Sequence, residues 1–183
     1  MENNQQQAAS NSSTERGMLT GMFRDRESTE KAYNTLHERG YAKDDINLVM
    51  SNDTKKNYYT GDVVETELTR AAEGAGTGSA IGGTIGAIAG VIAAIGTSLV
   101  IPGLGVLIAG PIAAGLAGAG AGGIAGGVIG ALVGSGIPED RAKLYETGIK
   151  NGHVVLGVRP RNDEDAEYFE NNWRTNNGLE IYR

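Results

Sequence analysis

The chain has 183 residues and no cysteine, and its 22 acidic residues outnumber its 16 lysines and arginines, for a formal net charge of -6. Disulfides and thiolate metal sites are therefore excluded. A pI near 5.0 argues against nucleic acid as a partner, because phosphate-backbone binding needs a basic stripe and none is present. The mean hydropathy of -0.24 averages two unlike parts, a polar outer chain and an insert, Gly74 to Pro138, without a single Asp, Glu, Lys or Arg.

Residues 1–15 (MENNQQQAASNSSTE) offer nothing to bury and predict a disordered tail. They also lack the basic start and apolar run of a secretory leader, so the expected location is the cytoplasm or the inner face of a membrane. Met18 to Phe23 is a short apolar run suited to a buried strand. Asp25 then offers a helix cap, Ala32, Tyr33 and Leu36 follow at helical spacing, and Gly40 stands where a left-handed residue ends a helix. Ile46 to Met50 predicts a second strand, closed by Ser51-Asn52-Asp53. Residues 16–53 thus form the first half of an α/β domain. Residues 54–73 are a connector: TKKNYYT (54–60) shows no period and predicts a loop, and Asp62 to Ala72 an amphipathic lead-in helix carrying Val63, Val64, Leu68 and Ala71.

Residues 74–136 predict a glycine-zipper helical hairpin. Gly74, Gly78, Gly82, Gly86 and Gly90 fall four apart, and the rhythm returns at Gly110, Gly118, Gly122, Gly126, Gly130 and Gly134, with Ala114 in the gap. Residues four apart share a helical face, so such a row makes a groove into which a second helix can sink. The arms, about Gly74–Gly96 and Gly110–Ser135, are joined by a charge-free turn at Thr97–Ala109 with Pro102, Gly103 and Gly105, and Pro111 sits where a first-turn proline is tolerated. Each glycine costs a helix roughly 1 kcal/mol relative to alanine, so an environment must enforce the helix; a bilayer does so, and a dry oligomer core does so less strictly. Large aliphatics mark the opposite faces: Ile81, Ile85, Ile88, Ile92, Ile95 and Leu99 in the first arm, and Ile108, Ile112, Leu116, Ile124, Val128 and Leu132 in the second. The small face suits a partner helix, and the bulky face suits lipid or a neighbouring subunit.

Residues 137–183 supply the second half of the domain. Pro138 opens a helix with Glu139 and Asp140 in its first turn and Ala142, Tyr145 and Ile149 as its buried stripe. His153 to Val158 is a third strand, Asn162 caps a helix built on Ala166, Phe169 and Trp173, Gly178 stops it, and Leu179 to Tyr182 is a last strand. Two strand-helix-strand units predict an α+β fold: a ferredoxin-like, four-stranded antiparallel sheet with helices on one face, interrupted by the long hairpin. Lys55, Lys56 and Arg70 precede the hairpin and Arg141, Lys143 and Lys150 follow it. The positive-inside rule then puts both ends on the cytoplasmic side of the cytoplasmic membrane, if the hairpin spans it.

Four segments together, MLTGMFRDRESTEKAYNTLHERGYAKDDINLVMS, AAEGAGTGSAIGGTIG, IPGLGVLIAGPIAAGLAG and GSGIPEDRAKLYETGIKNGHVVLGVRP, resemble the bacterial general stress protein 17M-like family, also called the heat-induced stress protein family. The resemblance covers nearly everything after the tail. It implies a small α/β domain in stress-associated proteins, often with a Gly/Ala-rich hairpin, and carries over no catalytic residues.

Candidate chemistry is sparse. Gly118, Gly120 and Gly123 match G-x-G-x-x-G, but no strand precedes them as a dinucleotide fold requires, and no glycine is followed by Lys-Ser or Lys-Thr. His37 and His153, the only histidines, read as a helix-end cation and a packing residue, Asp163-Glu164-Asp165 as first-turn electrostatics, and Asp44-Asp45 as a solvated turn. Tyr58, Tyr59, Tyr168 and Trp173 are candidates for a membrane interface, though Trp173 fits a core stripe more simply. No nucleophile-base-orienter set can be assembled by spacing. The expected function is therefore non-enzymatic, with no cofactor and no metal: a stress-associated protein that self-assembles through its hairpin in or on a lipid bilayer and displays the α/β domain. The alternatives are a soluble homo-oligomer or filament with the hairpins packed between subunits and, more weakly, a small-ligand-sensing module.

Overall fold

The computed structural model describes residues 17–59, 99–101, 105–118 and 126–183. The tail, the lead-in helix, the first zipper arm with Gly74, Gly78, Gly82, Gly86 and Gly90, and also Pro102, Gly103 and Gly122 lie outside the described residues.

The fold is α+β, built on a six-stranded antiparallel sheet. In chain order the elements are β1 (Leu19–Phe23), α1 (Arg26–Glu38), a 3-10 turn (Lys43–Asp45), β2 (Ile46–Ser51), α2 (Asn52–Tyr59), β3 (Leu99–Ile101), β4 (Val106–Ala109), α3 (Pro111–Gly118), α4 (Gly127–Gly134), α5 (Glu139–Lys150), β5 (Val154–Val158), α6 (Asp163–Thr175) and β6 (Leu179–Tyr182). The strand order is β3-β4-β2-β5-β1-β6. β5 lies at the centre, with Leu19 opposite Val158 on β1 and Ile46 opposite Val158 on β2.

The four strands of the outer chain are where the apolar runs place them, and both expected caps form. Asp25 Oδ1 accepts from the Ser28 N–H at 2.8 Å, and Asn162 Oδ1 from the Asp165 N–H at 2.7 Å, each satisfying a helix donor that would otherwise have no partner. Because side chains alternate across a strand, Leu48, Leu156 and Phe23 enter a core beneath α1 and α6 with Leu36, Phe169 and Trp173. Val49, Val155 and Met22 enter a second core with Ile112, Leu132 and Tyr145 from α3, α4 and α5.

Four expectations need correction. Helices cover both faces of the sheet, not one. The continuous apolar runs explain why: strands buried on both sides carry no polar alternation. The sheet has six strands, because the supposed helix-helix turn is a β-hairpin whose strand β4 pairs with β2, Leu48 opposite Ala109. The second arm is not one helix: α3 and α4 are separate eight-residue helices, and Gly127, at φ 61, is outside the α-helical region as α4 begins. Residues 52–59 are helical, not a loop, since Ser51 Oγ accepts from the Thr54 N–H at 3.0 Å and Tyr59 is buried.

Candidate functional site

Apart from Ile124, which lies outside the described residues, the bulky row of the second arm faces inward. Ile108 is a β4 residue, and Ile112, Leu116, Val128 and Leu132 are at most 7% exposed, packed on the sheet's second face. The expected lipid- or subunit-facing stripe is therefore the inner surface of this layer, covered by the chain's own strands.

The glycines of the same arm fall into two groups. Gly110 has φ 93, and a Cβ there would lie 2.1 Å from the Ile46 carbonyl oxygen. It is the point where the chain leaves β4 against the backbone of β2, so it serves that approach and not a zipper. The next donor is fixed too: buried Asn47 accepts from the Ile112 N–H at 2.7 Å through Oδ1. Pro111 opens α3, Gly105 lies at the β3–β4 hairpin, and Gly118 is the last residue of α3. A Cβ on Gly126 would meet the Gly130 backbone at 2.8 Å, a contact within one turn. Gly130 and Gly134 on α4 differ from these, as does Gly115 on α3, which lies off the expected row. None is left-handed, and an added Cβ at any of the three would meet no atom of the described residues within 4 Å beyond its own helix backbone and chain neighbours.

Gly115, Gly130 and Gly134 line a crevice of about 310 Å³ between α3 and α4. Met18, Ile112 and Leu116 contribute apolar wall, and Arg159, just after β5, is the one charged residue lining it among the described residues. Arg159 is exposed and has no hydrogen-bond or ion-pair partner among the described residues. Sequence spacing singled out neither Met18 nor Arg159, since both lie far from the arm in the chain and reach it only because β1 and β5 are neighbours.

Polar clusters elsewhere hold elements together. At the junction of α1 and α6, buried Asp165 accepts from the Tyr41 hydroxyl at 2.7 Å and from the Arg39 guanidinium, and the Arg161 N–H donates to the Tyr41 oxygen at 2.7 Å. Burial pushes the Asp165 carboxyl up, but the hydrogen bonds from Tyr41 and Arg39 and the nearby Arg161 charge outweigh it and hold it below its ordinary value. Burial, with Asp165 nearby, raises the Tyr41 hydroxyl to about 12. The acidic triplet is thus more than first-turn electrostatics: its third member pins two helices. On the opposite face, the Tyr145 hydroxyl donates to the Glu180 carbonyl at 2.6 Å and lies 2.8 Å from Thr20 Oγ1. Burial raises that hydroxyl to about 12 as well.

His37 Nδ1 lies 3.2 Å from the Tyr41 carbonyl oxygen, and Trp173 is fully buried. Tyr168 is exposed beneath the Arg39 guanidinium, 4.0 Å from its ring centroid. Among the described residues no three His, Cys, Asp or Glu side chains are grouped to hold a metal ion, and no helix is long and apolar enough to cross a membrane. Comparison with protein-family models, with characterised proteins and with solved structures gives no match to this chain.

Proposed function

We propose that this chain is a non-enzymatic, stress-associated protein that self-assembles through the glycine surface of its inserted layer and displays a ferredoxin-like α/β domain. The carrying observation is the space above Gly115, Gly130 and Gly134. A helix interior gives up about 1 kcal/mol for each glycine in place of alanine. At these three positions neither a left-handed backbone nor a neighbour among the described residues requires the loss of a side chain. Close approach by another helix does require it, and a second copy of the chain supplies one. The ferredoxin-like assignment draws support from the order β2-β5-β1-β6 of the outer strands, with α1 and α6 together on one face. The stress association comes from the family resemblance of the sequence.

Assembly in a homo-oligomer or filament leaves the inward-facing aliphatic row undisturbed, and that row favours this form over a hairpin sunk in lipid. Attachment to the cytoplasmic membrane is the second reading, favoured by the absence of charge from Gly74 to Pro138. Sedimentation velocity on a Gly115→Leu/Gly130→Leu variant tests the assembly. Both side chains enter open space, so the fold survives and the particle falls to monomer size. A variant that remains as large as the parent would sink the proposal. Flotation of lysate before and after an alkaline carbonate wash tests attachment, and protein that never floats excludes it.

A further inference from the structure

The crevice between α3 and α4 has a chemical character that glycine spacing alone does not explain. Its wall is more apolar than polar, with Met18, Ile112 and Leu116 beside Ser135, and Arg159 is the one charged residue that lines it among the described residues. Among the described residues every arginine except Arg24 and Arg159 is held in an ion pair. An unpaired guanidinium beside an apolar crevice fits a ligand with a short hydrocarbon chain and an anionic head. At about 310 Å³ the space lies at the small end of ligand sites, which run roughly 300–1,000 Å³. It suits one chain and not a two-chain phospholipid.

We propose that this crevice binds a free single-chain carboxylate amphiphile, its alkyl chain against Met18, Ile112 and Leu116 and its carboxylate on Arg159. The site does not rest on the assembly reading. If both hold, the amphiphile and the second helix compete for one surface.

Methionine offers a local probe, because the chain has only four and Met18 lines the crevice while Met50 lies in the core on the other face of the sheet. With methyl-13C-methionine protein, decanoate added below its micelle concentration shifts the Met18 methyl saturably and leaves Met50 in place. Arg159→Gln, an exposed substitution, weakens binding about tenfold, the scale of a lost charged hydrogen bond. Gly130→Leu fills the crevice and abolishes the shift. Decyltrimethylammonium and phospholipid vesicles leave Met18 unmoved. The proposal is overturned if decanoate does not move Met18, if the cationic amphiphile or vesicles move it as much, or if Arg159→Gln binds decanoate as the parent does. Sedimentation of the same samples reports assembly separately, so an assembled protein with an unmoved Met18 rejects this site and leaves the assembly reading standing.

Discussion

Single side chains set the response of this molecule to acid. His153 precedes β5, and its Nδ1 is buried without a hydrogen-bond partner among the described residues. Burial, then the positive charge of Arg24, lowers its pKa below the ordinary 6.5. A group whose folded pKa is depressed binds fewer protons folded than unfolded, so its contribution is present above 6.5 and is lost as pH falls from there through the folded value. The urea midpoint should drop between pH 7 and pH 5.5 in the parent and stay flatter in His153→Gln; parallel curves would rule the histidine out. Asp165 acts in a lower window, since its depressed carboxyl stabilises above the ordinary carboxylate range and that stabilisation is lost only as pH falls through the folded value. Asp165→Asn takes from Arg39 its closer carboxylate, leaving only the exposed Glu164 at 3.5 Å, and faces the Tyr41 and Arg39 donors with an amide. A loss of about 1–3 kcal/mol follows from leaving buried donors unmet, measured by urea unfolding at pH 7, and no loss would show that the cluster forms without holding α1 to α6.

At the scale of elements, the outer chain was legible and the insert was not. MLTGMF, INLVM and HVVLGV read as strands because they are short, apolar and bounded by caps and turns. The same runs also signal a sheet covered on both faces, since none alternates regularly with polar residues. The insert misled because Ile108, Ile112 and Leu116 repeat at four, a helical period that crosses a strand-helix boundary at Gly110. LVIPGLGVLIA carried the better reading, two β-branched runs around a Pro-Gly turn. Arg159 and Met18 were beyond reach of spacing, because only strand pairing brings them to α3 and α4. The two kinds of glycine make opposite predictions. Gly115→Ala and Gly130→Ala enter open space in ordinary helix and should each stabilise by about 0.5–1 kcal/mol, whereas Gly110→Ala drives a methyl into the Ile46 carbonyl and should destabilise by more than that. Thermal unfolding of the three variants under conditions where the protein is monomeric decides it, and equal shifts would refute the distinction.

For the molecule as a whole, the question is whether the insert is an appendage or a layer. A hairpin that leaves the domain to meet lipid would be dispensable for folding: joined across the gap, the two strand-helix-strand halves would still form their sheet with α1 and α6. The observed packing argues otherwise. Ile112, Leu116, Val128 and Leu132 cover the sheet face that carries Met22, Val49 and Val155, and β4 covers the edge of β2. Fully burying an aliphatic side chain contributes roughly 1.5–3 kcal/mol, so four of them rival the total stability of a typical domain, about 5–15 kcal/mol. Replacing residues 99–136 with a short flexible linker should therefore give a chain that keeps far-UV helix and strand signal but loses its near-UV signal and cooperative urea transition and binds a hydrophobic dye, because α5 alone cannot cover that face. A sharp transition at the parent midpoint would mean that the outer halves fold without this layer and that the inserted helices only rest on the sheet.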